Sequence, residues 1–460
     1  VEIAGGTIKI ANSYVRGIYT ESGQVNIVGG EISCSSRNSY LYGVYNNGEK
    51  DVNIVGGTVN ITANSNGYGV YNAKGGKIKI TGGTISTSVT SNGKTYTIYN
   101  ATTGIIEIDG GIVESDSIYR GSSWAYGYGI YNEKTGTIRL AKGNVINNAG
   151  TSDTYWYGIY NGSTGTIEIE TCTIDTTEIN STEYGIYNSS SGKIDITDSN
   201  IKTKSYGIYN YSNGTISMKQ GTVKTTGTTS QGIYNKSGTI TIGESGGGVS
   251  TTEPKIIGVQ YGLYNGTGNI YFYDGVLKGK TEAFYGSLTA TEENYDIKKE
   301  TDEESYKIAY PAREALAKIG ETEYYSLQDA INSIQEGNST ATAIDIVRNG
   351  VTILKVETGN RNIKLDLNGK EVVLSHNIHN TGTLELTDSS EEQTGKLIFA
   401  EEGTSSNYAK GINNEGTFKL TSGQIENQKP YVNVVNNSNN GTVEIAGGTI
   451  KIANSYVRGI

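Results

Sequence analysis

Three aspartates, Asp175, Asp195 and Asp198, are the nearest approach to an acidic cluster in this 460-residue chain. Lyase chemistry on a polysaccharide would need such carboxylates around Ca²⁺, with an Arg or Lys base on a neighbouring strand. A hydrolase would need two carboxylates at acid/base spacing. Glu168 and Asp195 instead share a repeat position with Arg139, so opposite charges compensate along an outward column. The two histidines, His376 and His379, lie in SHNIHN. A metal site would require two further ligands beside them, and both are expected to be solvent-facing strand polars. Cys34 and Cys172 fall about five repeats apart, roughly 24 Å at ~4.8 Å per repeat, which no disulfide spans. No nucleophile elbow, phosphate-binding loop or EF-hand loop is present. The sequence therefore assigns no catalytic residue, no metal ligand and no cofactor.

A second chemistry is aromatic. Tyr occurs 35 times against 4 Phe and 2 Trp. Most of the tyrosine is organised in a motif of the form YG(I/V)YN. Its final Tyr falls at Tyr45, Tyr71, Tyr99, Tyr131, Tyr160, Tyr187, Tyr209, Tyr234 and Tyr264, with a weaker copy at Tyr19. Successive spacings from Tyr19 are 26, 26, 28, 32, 29, 27, 22, 25 and 30. A period near 27 with ragged length is a coil with variable loops. The final Tyr has opposite parity to the Ile or Val before it, which places it outside as an exposed tyrosine ladder. Such rings could cover the strand surface and stack on one another, or present a glycan-binding face.

The elements that would position these rings are strands. Downstream of each motif comes Gly-x-apolar-polar-apolar, as in Gly136–Leu140, Gly165–Ile169, Gly192–Ile196 and Gly238–Ile242. Alternation of period two means strand. A third segment often follows a Gly-Gly turn, as at Gly56-Gly57 and Gly82-Gly83. Three short strands per repeat, rich in β-branched residues, predict an all-β, right-handed parallel β-helix (a β-solenoid) of about 27 residues per coil. Stacking at ~4.8 Å would set like residues over like. Ile18, Val44, Val70, Ile98, Ile130, Ile159, Ile186, Ile208, Ile233 and Leu263 should form one core column. Asn46, Asn72, Asn100, Asn132, Asn161, Asn188, Asn210, Asn235 and Asn265 should form an amide ladder, since each side chain both donates and accepts.

Composition agrees with a thin, elongated core: 35% hydrophobic residues, 63 Gly and 3 Pro. The net charge of −10, with dispersed Lys and Arg, argues against nucleic acid and anionic membranes as partners. No apolar run of about 18 residues suggests membrane insertion. The chain opens in mid-repeat, so the absence of a signal peptide says nothing of export.

The pattern lapses at 289–325, a highly charged stretch expected to be a solvated connector, and resumes after one amphipathic helix at 326–336. Ser326 can cap that helix, with Asp329 in the box position. Leu327, Ala330, Ile331 and Ile334 form its apolar face, and Gly337 can end it. Its expected role is to cover the open end of a stack. Residues 1–288 are then one run of β-helix coils, and 337–460 the start of the next.

Residues 443–460 repeat 1–18 letter for letter, VEIAGGTIKIANSYVRGI, which is either an overlap added in cloning or, as expected here, the overhang of one unit of a longer array recurring every 442 residues (443 − 1). The physical module is then permuted: it starts near Ala317, runs through Thr442, continues as Val1 and ends near Leu288. AKIGETEYYSLQDAINSI (317–334), KLDLNGKEVVL (364–374), NTGTLELTDSS (380–390) and the GIYN…GTIxI coils resemble large surface proteins of Gram-positive anaerobes that carry pectin-lyase-like β-helix modules. The resemblance covers nearly the whole chain. It implies export, an extracellular or cell-surface location, and tandem modules. The expectation is a non-catalytic structural fibre or stalk, whose partners are identical modules joined end to end in one long chain. The alternatives are an adhesin whose tyrosine ladder binds surface or matrix glycans, and a polysaccharide lyase or hydrolase.

Overall fold

A computed structural model describes residues 1–11, 14–36, 40–91, 93–117, 125–149, 154–176, 182–245, 252–290, 295–352, 355–452 and 456–459. The chain divides into two compact units, Val1–Thr291 with Ile297–Pro311, and Glu292–Asp296 with Ala312–Ile460.

The first unit is a parallel β-helix of three strands per coil. Val25–Ile27, Glu31–Ser36 and Leu41–Asn46 make one coil. Val52–Ile54, Thr58–Ala63 and Asn66–Asn72 make the next, each strand pairing in parallel with its counterpart. Between the first two strands the Gly-Gly turn puts Gly30, Gly57 and Gly83 at φ of 74–79°, a left-handed backbone that favours glycine. The core column is as expected: Ile18 pairs with Val44, Val44 with Val70, and so on to Leu263. All ten side chains are buried. Both apolar positions of the Gly-x-apolar strands are buried too, from Ile138 and Leu140 to Ile240 and Ile242. A coil uses as few as 21 residues (Leu263 to Phe284) or as many as 32 (Ile98 to Ile130), yet each advances the ladder by one rung.

The stretch expected to be a solvated connector is largely strand. Tyr295–Thr301 and Lys307–Arg313 flank a turn in which the Asp302 N–H donates to the Tyr306 carbonyl at 2.9 Å. Lys307–Ala309 pairs antiparallel with Leu277–Gly279 of the last coil. Ala309 is fully buried in the coil core and Ile297 packs against it. The reason is that Ile297 and Ala309 interrupt the charges, leaving apolar side chains to close the stack. The antiparallel strand also occupies the outer edge of Val276–Gly279, so no further parallel coil pairs with that strand.

The second unit repeats the plan with three separate sheets of seven, five and four strands, parallel except for an antiparallel hairpin at the end of the first. Its core carries Phe399 and Phe418 among Leu, Ile and Val. The hairpin Ala317–Ile319 with Thr322–Tyr324 adds antiparallel to Thr342–Ile346, again closing one sheet. The helix spans Leu327–Ser333, shorter than the expected 326–336. Ser326 caps it as predicted, its Oγ accepting from the Asp329 N–H at 3.1 Å. Ile334 ends it instead of Gly337, turning to extended backbone while its N–H still donates to the Ile331 carbonyl. Leu327, Ala330, Ile331 and Ile334 are buried, so the helix covers the unit's core as expected.

Candidate functional site

The tyrosines form two files, of which one was expected. From Tyr45 to Tyr285 the final-Tyr rings stack at 4.6–5.1 Å between centroids with planes within 22°. Tyr131, Tyr160 and Tyr187 lie in this single file, at 4.9 and 5.1 Å. The second file is the first Tyr of each motif: Tyr42, Tyr68, Tyr96, Tyr128, Tyr157, Tyr184 and Tyr206, at 4.7–5.1 Å. The two files meet edge to face, as for Tyr128 with Tyr131 (86°) and Tyr160 (89°). Such offset and T-shaped contacts are the favoured aromatic geometries.

Strict alternation places residues three apart on opposite faces, yet Tyr42 and Tyr45 share one. The glycine between them is the reason. Gly43 is buried at a bend where pairing skips from Tyr42 to Val44. A Cβ there would lie 2.5 Å from Val59 and 2.7 Å from the Gly69 carbonyl oxygen. The Y-G-x-Y spacing, read with the bend glycine, is the signal that would have revealed the second file.

The ladder is thus less exposed than expected. The nine rings from Tyr45 to Tyr264 are half-buried, and Tyr96, Tyr128 and Tyr157 behind them are buried outright. Burial pushes the Tyr71, Tyr131 and Tyr187 phenols up to about 12. An interior ring such as Tyr131 has a parallel neighbour on either side, Tyr99 and Tyr160. Its faces are therefore engaged within the file.

The amide ladder is complete. Each Asn Nδ2 donates to the Oδ1 of the next, from Asn46 through Asn265, in eight bonds of 2.9–3.1 Å. The same Nδ2 donates to a carbonyl three or four residues on, as from Asn161 to Gly165 at 2.8 Å. Both amide protons are used, which is what buried amides require. The second unit holds a shorter ladder that the sequence reading missed: Asn380 to Asn414 to Asn437, both at 2.7 Å. Thr358 Oγ1 donates to Asn380 Oδ1 at 2.9 Å and heads it.

The acidic residues are dispersed as expected. Arg139 stands between Glu107 and Glu168 in the column, its Nε 2.7 Å from Glu168. Asp195 follows Glu168 and meets Lys193 at 2.7 Å, while Asp175 pairs with Lys202. Among the described residues no group of three His, Cys, Asp or Glu could hold a metal ion. Cys34 and Cys172 are free and buried, and burial raises their thiols to about 11 and about 12. His376 is exposed, as expected, but His379 is not. Its Nδ1 lies 2.7 Å from Glu357, and Nε2 is 3.4 Å from Glu415, beyond hydrogen-bond geometry. Burial works to raise the Glu357 carboxyl, but Lys355 and His379 outweigh it and hold it below the usual range. The sequence could not show this, because Glu357 and Glu415 reach His379 only through the stacking register.

The repeated segment occurs in two settings, with matching left-handed backbone at two equivalent positions. Gly6 and Gly448 have φ of 78° and 73°; Tyr14 and Tyr456 have 55° and 60°. Residues 443–460 stack on the preceding coil: Val443–Ile445 on Phe418–Leu420, Thr449–Lys451 on Gln424–Glu426, Arg458 on Asn433. Residues 1–18 stack on the following one: Glu2–Ile3 on Asn26–Ile27, Thr7–Ile10 on Glu31–Cys34, Val15 on Leu41. One copy is paired along its upstream edge, the other along its downstream edge. No protein-family profile, curated protein or solved structure matches this chain.

Proposed function

We propose that the chain is a non-catalytic structural β-solenoid, a length of extracellular or cell-surface fibre or stalk built of tandem 442-residue modules. One observation carries this reading. The same eighteen residues occur twice, and their described strands pair along complementary edges. A single copy could be the last coil of one stack and the first of the next, so a recurring sequence would carry the solenoid unbroken across that joint, with the strands and helix of 289–336 between one module and the next. The resemblance to Gram-positive surface proteins supports the location.

The tyrosine files support packing over glycan capture. Sugars bind aromatic side chains through ring faces, and here the interior faces lie against neighbouring rings. The test is the full-length gene together with electron microscopy of a two-module chain. Several recurrences of the 442-residue text and an unbroken rod across the junction are expected. A single copy, or a rod interrupted at 443–460, would defeat the proposal.

A further inference from the structure

We infer that Asn213 is a modification site, at which the chain deamidates spontaneously to aspartate and isoaspartate while its other described Asn-Gly pairs are held. Asn-Gly occurs nine times, and Asn92 of one pair lies outside the described residues. Such pairs are reactive because glycine has no Cβ to hinder attack by its own nitrogen on the preceding side chain. Seven of the eight described pairs are restrained. Asn161 and Asn265 belong to the amide ladder, buried with both amide protons donated. Their glycine N–H groups donate to the Asn132 and Asn235 carbonyls, both at 2.8 Å. Gly48, Gly369 and Gly441 donate theirs to Asn46 Oδ1, Asp388 Oδ1 and the Ser438 carbonyl. Asn66 and Asn349 accept through Oδ1 from the N–H groups of Lys94 and Glu371, and their glycines lie in paired strands.

Asn213 has none of these restraints. It is exposed, and among the described residues neither its side chain nor the Gly214 N–H makes a hydrogen bond. It stands in the turn after Asn210, at the place held by Thr135, Thr164 and Ser191 in the coils before it. The Gly214 nitrogen, its proton taken by hydroxide, attacks Cγ of Asn213. The Cγ–Nδ2 bond breaks, and ammonia leaves with a proton from water, closing a five-membered imide. Water then opens either carbonyl of the ring. One opening gives aspartate; the other gives isoaspartate, with the main chain rerouted through the former side chain. The sum is one water consumed and one ammonia released. The isoaspartyl form places an extra methylene in the backbone beside Gly214. The Gly214 carbonyl accepts from Asn210 Nδ2 and from the Thr239 N–H, both at 3.1 Å, and a Cβ on Gly214 would meet the Asn188 amide. Ageing at Asn213 therefore falls directly on a rung of the amide ladder.

The test is peptide mapping of the full 460-residue chain held in warm, mildly alkaline buffer, with aspartate and isoaspartate counted at each of the eight pairs. In the folded chain Asn213 should lead them all. It should outpace Asn161 and Asn265 by about tenfold or more, because those two react only after local opening. Asn213→Ser, which copies Ser191, should remove that signal and leave the other seven rates unchanged. In denaturant the discrimination should vanish. Any other pair that keeps pace with Asn213 in the folded chain would overturn the inference. So would an unchanged lead in denaturant, because the preference would then belong to local sequence and not to the coil.

Discussion

The two units reach the same coil by different means. The first has an Ile and Val core, a nine-residue amide ladder and an outer herringbone of tyrosine. The second has a core richer in Leu, with Phe399 and Phe418 where the first has Phe272, and carries a three-residue amide ladder. In the second unit Tyr431 stacks on Tyr456 and meets Tyr408 edge to face. Parallel pairing in register, an apolar column and an asparagine rung are common to both. Those three therefore define the coil, and the tyrosine coat is an addition to it.

Alkali should separate the units most sharply. The phenols at about 12 in the first unit start from an ordinary value of 10, so folding favours their neutral form. That stability is complete below pH 10 and is lost as pH rises towards 12. Between those values the first unit should unfold while the second persists. Tyrosinate absorbance, with hydrogen exchange resolved along the chain, reads both. Simultaneous loss of both units would break the distinction.

Next in size is the bend glycine. A Cβ on Gly185 would lie 2.5 Å from Ile201 and 2.6 Å from the Gly207 carbonyl oxygen, and one on Gly411 would lie 2.8 Å from Phe399. Gly185→Val and Gly411→Val should each cost more than about 4 kcal/mol, because backbone and core cannot both give way. Denaturant titration with local exchange would show it. Tolerance at Gly411 alone would mean that the bend is peculiar to the tyrosine-clad coils.

The smallest expected effect sharpens the comparison of ladders. Asn161→Ala orphans the donor of Asn132 and the acceptor of Asn188, both buried, and should cost about 2–3 kcal/mol. Asn414→Ala should cost about 1–2 kcal/mol, since Asn437 beyond it is exposed and can turn to water. Equal losses measured by denaturant midpoint would show that ladder length does not matter.

Much of this architecture was legible because stacking converts sequence period into spatial register. The Ile18-to-Leu263 column, the Asn46-to-Asn265 ladder and the cap at Ser326 needed only period, parity and local capping. What escaped depended on departures from parity or on distant partners. Gly43 bends the strand and brings Tyr42 round to the side of Tyr45. Ala309 sits in a charged stretch and is buried only because the last coil needs a lid. The Asn380 ladder rests on spacings of 34 and 23 residues, too uneven to stand out as a repeat.

Uneven spacing has a consequence of its own. Ile378 and Ile412 are 34 residues apart, Ile186 and Ile208 only 22, and each pair climbs a single step. Insertions between strands must therefore swell the girth and leave the reach alone. A lineage could redecorate such a scaffold freely and still keep it as a ruler, graduated in rungs.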